Sequence, residues 1–368
     1  MSFSGTFEAH PLESTQFGIL SVARLTERAD TKETKDAKEN WVRGYSHFFE
    51  TNPTIRLVQE NGAMAHVIND ATGAKRYIDV KAFFIEVEDY ASTFGLLGED
   101  RYAKVVRQLE AGTQKSIEHE FYKGYTARAN GNDNQYLTKA SSLTIVNEGL
   151  LAQMQEGLGY LEYAIAQSPL GEQGTIHMTR DMAALLGSQW ILQRPDEKGI
   201  PHLETTNGTP IAIGSGYDGS GPQVEIQTIA VSNQHVCTVT TSLGHGLSIN
   251  DLVSLENETN AGLNNTFVVT GVPNLTTFTF SAPAVLTIAE RTSPGIAFFA
   301  PDQNHKWMWA TGIIDVNLGV IEVVNTESGH GYDVAGNKND IRIKAIRPAA
   351  VHHEPSVHYG IKVQVHQV

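Results

Sequence analysis

The spacing of apolar positions changes several times along the chain, and each change marks an element. The strongest signal is helical. Over residues 99–122, Tyr102, Val105, Val106, Leu109, Thr113, Ile117 and Phe121 recur at intervals of three and four, which lays one apolar stripe along a helix. Glu99 and Asp100 behind Gly98 suit the positive end of the helix dipole, and Gly124 suits a left-handed stop. Such a helix spans about 36 Å, long for a small domain. A second helical run covers 147–167, with Leu150, Leu151, Met154, Leu158, Leu161 and Ile165 on one side and Pro169 and Gly171 closing it. Residues 175–178 read as a buried strand, Thr179 as the N-cap of a third helix through Trp190, and 209–213 as a further strand.

Elsewhere the period is that of strands. TIRLVQ and AHVIND flank Asn61-Gly62, a hairpin dipeptide, and Asp70-Ala71-Thr72-Gly73 turns the chain again before Lys75, Arg76 and a strand-like run over 77–87. The apolar content over 54–89 is too thin for a core of its own, so it reads as a long two-stranded excursion that leans on something else. Over 227–283 short Val-, Thr- and Phe-rich strands at 236–241, 252–255, 267–272 and 276–280 alternate with turns, and no helical pattern fits. This is a small all-β module inside a larger α+β domain. Strands resume at 307–311, 313–324 and 341–346. The run 357–365 alternates apolar residues with Lys362 and Gln364, as a half-buried terminal strand does. Residues 1–48 show no sustained period. With Phe3, Phe7, Phe17, Leu20 and Leu25 scattered ahead of a charged stretch at 27–39, they read as an extended arm, either a solvated tail with one short helix or a segment that orders only against a neighbouring subunit.

Composition narrows the function. Of 368 residues 40% are hydrophobic and 18% charged, which excludes a disordered chain. Lys and Arg number 27 against 41 Asp and Glu, so the net charge is 27 − 41 = −14, which argues against a phosphate-neutralising groove. One cysteine, Cys237, excludes an internal disulfide framework and a multi-thiolate zinc site. No apolar run approaches the roughly 20 residues of a membrane span, and the first residues have neither the basic start nor the apolar run of a secretion signal. A soluble protein made in a reducing cytoplasm is expected.

Candidate chemistry is sparse. Gly214, Gly216 and Gly219 form a G-x-G-x-x-G pattern after a strand, but Pro222 and β-type sequence follow where a dinucleotide site needs a helix. A flexible surface loop is the better reading. His352, His353, Glu354 and His358 cluster near the C-terminus, with His330 and Asp333 upstream. Adjacent histidines on a strand point to opposite faces and do not ligate one ion, so solvated or interface histidines are expected, and His245 between two glycines reads as a turn residue. Nucleophile elbows, metalloprotease helices and phosphate loops are absent. No catalytic residue, cofactor or metal site is assigned, and the protein reads as one that is not an enzyme but assembles.

The order of these blocks carries a resemblance. FFIEVEDYASTFG followed by EDRYAKVVRQLEAGTQKSIEHEFYKG, then GTIHMTRDMAALL, TPIAIGSGYDGSGP, WMWATGIIDVNLGVIEVV and RIKAIRPAAVHHEPSVHYGIKVQV, resembles the major capsid proteins of tailed phages that infect actinobacteria, over about 41–368 apart from the β insert. The resemblance implies an α+β protein of the Hong Kong 97-like capsid fold. It would have an N-terminal arm (1–48), an extended hairpin or E-loop (49–90) and a peripheral domain (91–139) built on a spine helix at 99–124. An axial domain would take 140–226 and 291–335, an all-β insertion 227–290, and peripheral C-terminal strands 336–368. It implies self-assembly into hexamers and pentamers of an icosahedral head in the host cytoplasm, enclosing double-stranded DNA without reading its sequence. The partners implied are a separate scaffold protein and a portal, and no membrane. A negative inner wall suits this, since packaged DNA must slide rather than stick. Lys75 and Arg76 at the hairpin would meet Glu110, Glu118 or Glu120 on a neighbouring spine helix, and Trp41 would contact a neighbour. Lysine cross-linking as in some relatives is not expected, because Lys75 and Lys81 have no recognisable asparagine partner. The insert, similar to a β module common in phage structural proteins, would project outward and be dispensable for assembly. The alternative is an encapsulin-type cellular compartment; a tail or adhesion protein leaves the spine helix unexplained.

Overall fold

The apolar stripe of the long helix dictates where it lies. In the computed structural model, which describes residues 17–27, 45–48, 55–58, 64–69, 77–92, 101–168, 174–195, 201–232, 235–282, 288–327 and 340–366, helix α1 runs Arg101–Lys123. Val105, Leu109, Ile117 and Phe121 are fully buried, whereas Tyr102 stays half exposed at its first turn. Gly124 ends α1 in the left-handed region (φ 60°, ψ 41°), where any side chain would also run into the Tyr136 ring. A short helix α2, Tyr125–Asn130, follows.

The buried face of α1 lies on a five-stranded sheet. Its central strand, Asp340–His353, pairs antiparallel with Phe83–Ser92 on one side and with Glu322–Glu327 and Ile314–Leu318 on the other. Arg24–Glu27 adds a parallel edge strand on Ile314–Leu318. Part of the stretch read as an extended arm is pinned to the body of its own chain: Ile19 is fully buried and Arg24 to Glu27 pair in register with Asp315 to Leu318.

An eight-stranded sheet carries the second core. It runs Ile191–Pro195, Pro201–Thr205, Pro210–Ala212, Thr175–His177, His305–Thr311, His358–Gln364 and Thr144–Ile145, with Ala152–Gln153 also on His358–Gln364. The final strand is thus paired on both sides and mostly buried, rather than half buried. Helix α3, Met154–Ala166, lays Met154, Leu158, Leu161 and Ile165 on this sheet beside helix α4, Arg180–Leu186. Both helices are shorter than their patterns suggest, for local reasons. A capping box between Gln153 and Glu156 starts α3, leaving Leu150 and Leu151 exposed ahead of it. Gly187 at φ 65° ends α4 well before Trp190. Thr179 holds the N-cap position, but its hydroxyl bonds the Asp181 carboxylate instead of a backbone N–H.

The chain leaves the eight-stranded sheet after Ala212 and returns to it at His305. Between lies a seven-stranded sheet in the order Val236–Thr241, Thr277–Ser281, Thr266–Asn274, Leu252–Glu256, Ile296–Ala300, Gln223–Val231 and Ile288–Thr292. Val236–Thr241 also pairs with Gln223–Val231, which closes six of these strands into a barrel and removes their open edges. The barrel uses residues on both sides of the expected 227–290. Its interior (Val239, Val253, Val269, Phe278, Phe280, Phe299) is continuous with the core under α1.

Two antiparallel ribbons complete the described strands: Tyr45–Phe48 with Tyr77–Val80, and Ile55–Val58 with Met64–Asn69. The nested pairing makes one out-and-back excursion that brackets Asn61-Gly62. Its outgoing leg already includes Tyr45, inside the range read as the arm.

Candidate functional site

The candidate site is the joint beneath α1. The joint is built by the glycine-rich segment 214–222, which is buried rather than a flexible surface loop. Its glycines let backbone touch helix. A Cβ on Gly216 would lie 2.8 Å from the His119 backbone nitrogen and from Glu118 Cβ. The reward for that approach is a set of hydrogen bonds to Glu118, which is fully buried. Oε2 accepts from Gly216 N (3.1 Å) and Ser215 Oγ (3.0 Å), and Oε1 from Ile19 N (3.1 Å) and Gln114 Nε2 (3.0 Å). One carboxylate thus holds the N-terminal segment, the helix and the loop together.

A turn further along, Trp309 Nε1 donates to Tyr122 Oη (3.3 Å), whose hydroxyl donates to the Ser220 carbonyl (2.8 Å). Lys123 Nζ sits 3.0 Å from Asp218 Oδ2, donates to Ser220 Oγ, and lies 4.4 Å from the Phe298 ring centroid. Burial pushes the Lys123 ammonium below its ordinary pKa, and Asp218 pulls it back.

The histidines are in this joint. His353 and His358 lie 4.9 Å apart by ring centroid, Phe121 packs 5.4 Å from His177 and 5.7 Å from His353, and Trp309 stacks on His358 at 6.0 Å. His177, His352, His353 and His358 are all buried, not solvated, because the strand ends that carry them are covered on both faces. Among the described residues no group of three or more His, Cys, Asp or Glu is placed to hold a metal ion; His330 and Asp333 lie outside them. His245 lies in the irregular connection after Val236–Thr241 and is buried, and its Nδ1 accepts from Leu247 N at 3.0 Å.

The acids expected to meet a neighbour divide. Glu118 is consumed as described. Glu120 is buried and caps α2, accepting from Thr126 N (2.8 Å), Thr126 Oγ1 (2.6 Å) and Ala127 N (3.0 Å). Glu110 alone of the three is exposed. Lys75, Arg76 and Trp41 lie outside the described residues. Lys81 is exposed, its backbone clamped by the Asn134 side chain through two 2.8 Å hydrogen bonds.

Sequence reasoning missed His177, Tyr217, Lys123 and the Lys362–Asp251 pair. Lys362, 2% exposed, reaches Asp251 Oδ2 (2.9 Å) and Ser248 Oγ (3.0 Å) across the boundary between the terminal strand and the barrel. No local pattern signals this pair: Lys362 alternates with apolar residues as a solvent-facing position does.

No protein-family model matches the chain, and no curated protein matches it. Among solved structures, the capsid of an empty GTA particle is similar over 100% of this chain and 95% of that one, at 9% identity and a TM-score of 0.46. Microbacterium phage Oxtober96 is similar over 99% of this chain and 94% of that one (9% identity, TM-score 0.42). Gordonia phage Cozz is similar over 99% and 91% (8% identity, TM-score 0.41). Among the described residues no helix is long and apolar enough to cross a membrane.

Proposed function

We propose that this chain is the repeating subunit of an icosahedral phage head, a major capsid protein that assembles into hexamers and pentamers around double-stranded DNA and catalyses nothing. The observation that carries the reading is the paired ribbon between Tyr45 and Val80. It belongs to no larger sheet among the described residues, and a two-stranded ribbon in water is marginal on its own. A subunit that lays such a ribbon on a neighbour gains support for it there, and its stability becomes cooperative with assembly. The ordered sequence blocks support the same reading, as does a long helix laid across a sheet that joins the first and last thirds of the chain.

On this reading the helix–sheet layer is the peripheral domain and the eight-stranded layer the axial domain. The barrel is an insertion into the axial domain, and scaffold, portal and virion follow as partners and place. Lys75 and Arg76 meet Glu110 of a neighbour, the spine-helix acid left exposed. Electron microscopy of the expressed full chain, alone and with a scaffold gene, tests the proposal: closed shells or capsomers are expected, and a monomer at all concentrations would overturn it. Particles unaffected by reversing Lys75 and Arg76 to Glu would remove that pairing alone.

A further inference from the structure

The histidine joint has a property that follows from its hydrogen bonds. His358 Nε2 faces the Leu137 carbonyl at 2.7 Å, and a carbonyl only accepts, so Nε2 carries the hydrogen. Nδ1 is then an acceptor for Ser142 Oγ at 3.0 Å. His353 Nδ1 faces the Glu354 carbonyl at 3.0 Å, so that ring is protonated at Nδ1, and its buried Nε2 has no hydrogen-bond partner. Thr311 Oγ1 donates to the Gly312 carbonyl, so it accepts from His177 Nε2 (3.0 Å), and His177 Nδ1 accepts from Tyr217 Oη (3.2 Å). In this pattern all three rings are neutral; a second proton would find no partner on His353 and, on His358 and His177, a hydroxyl that now donates.

We propose that His177, His353 and His358 form an acid-sensitive lock. Neutral, they seal the junction of α1, the glycine loop and the two C-terminal strands; proton uptake opens it. A proton on His353 Nε2 would meet no acceptor. One on His358 Nδ1 would require Ser142 to turn, and one on His177 Nδ1 would require the Tyr217 hydroxyl to reverse. Two charged rings 4.9 Å apart would also repel.

The charged groups facing the lock do not relieve this. Lys139 lies close enough to His358 to disfavour its charged form. His352 flanks His353 and sits 3.7 Å from Asp315. Glu354 accepts from Ser356, and Glu118, behind Tyr217, is held by its four donors. Burial first and the neighbouring histidine second lower His177 to about 3; burial lowers His358 to about 4 and takes His353 well below its ordinary value.

A histidine of depressed native pKa binds protons more readily unfolded. The stability it protects is therefore intact above about pH 6.5 and is lost as pH falls toward the native values.

The test follows tryptophan emission of the full chain from about pH 7.5 to about pH 3.5, with hydrogen exchange over 121–142 and 353–361. One cooperative opening that takes up roughly two to three protons is expected, and His353→Gln should move its midpoint to lower pH and remove one proton from the uptake. An unchanged midpoint in both His353→Gln and His358→Gln would overturn the lock. Should those variants not fold, imidazole nitrogen resonances of the unaltered chain decide: three neutral rings at about pH 5 support the lock, and rings titrating one by one near 6.5 overturn it. This measurement needs no shell, so a chain that opens in this way without assembling would keep the lock and lose the capsid reading.

Discussion

A buried carboxylate is costly unless every lone pair finds a donor, and Glu118 meets that condition with four. The donors come from three parts of the chain, so one side chain fixes how the N-terminal segment, α1 and the glycine loop sit together. Glu118→Gln keeps the shape but replaces one oxygen with an amide that faces donors. Two donors then lose their acceptor, and each such loss costs about 1–3 kcal/mol. A loss of about 3 kcal/mol is expected by denaturant unfolding, with protease cleavage appearing near Ile19. Glu118→Gln as stable as the parent would mean that Ile19 and the loop are held by packing alone. Histidine chemistry at the same joint runs the other way: there the burial is harmless while the rings stay neutral.

Among the elements, the terminal strand and the barrel are tied by Lys362 and Asp251, whose side chains are 3% and 8% exposed. At that depth removing one partner leaves the other charge uncompensated, a loss of about 3–5 kcal/mol, whereas exchanging both for apolar residues can be neutral. Asp251→Leu alone should therefore destabilise strongly and Asp251→Leu with Lys362→Met much less; denaturant unfolding of the parent, the two single variants and the double measures the difference, and additive losses would refute the coupling. This pair also marks what the sequence could not disclose. The stripe of α1, the Gly124 stop and the barrel strands follow from period and turn residues, which are local. The ends of α3 and α4 depend on a capping box and one glycine. The burial of the histidines and of the loop depends on which strands become neighbours, since His353 and His358 are near in sequence but His177 is brought in by topology. Alternation alone gives Lys362 to solvent; the barrel wall that covers it comes from residues 248–251, more than a hundred positions away.

For the whole molecule the barrel is not an ornament on a stalk. Its core is continuous with that beneath α1, and Trp307, buried to 1% exposure, has Gly246 of the barrel against its ring. Lys123 lies over Phe298 on a barrel strand, Arg128 Nη1 sits 3.6 Å from Glu256, and Lys362 ends on Asp251. Removing residues 228–282 would take four barrel strands and half of a fifth. It would open Phe299 and Trp307 to water and leave Lys362 without its acid. Baring two large aromatic side chains costs about 2–3 kcal/mol each, and the unpaired lysine about 3–5 kcal/mol more. That sum is comparable with the whole stability of an ordinary domain. The deletion that sequence reasoning treats as harmless is thus expected to abolish folding before assembly is reached, read as insoluble chain with no particles by electron microscopy. Shells forming from the deleted chain would show that the parent layers close over the gap, and would return the barrel to the role of a dispensable outer decoration.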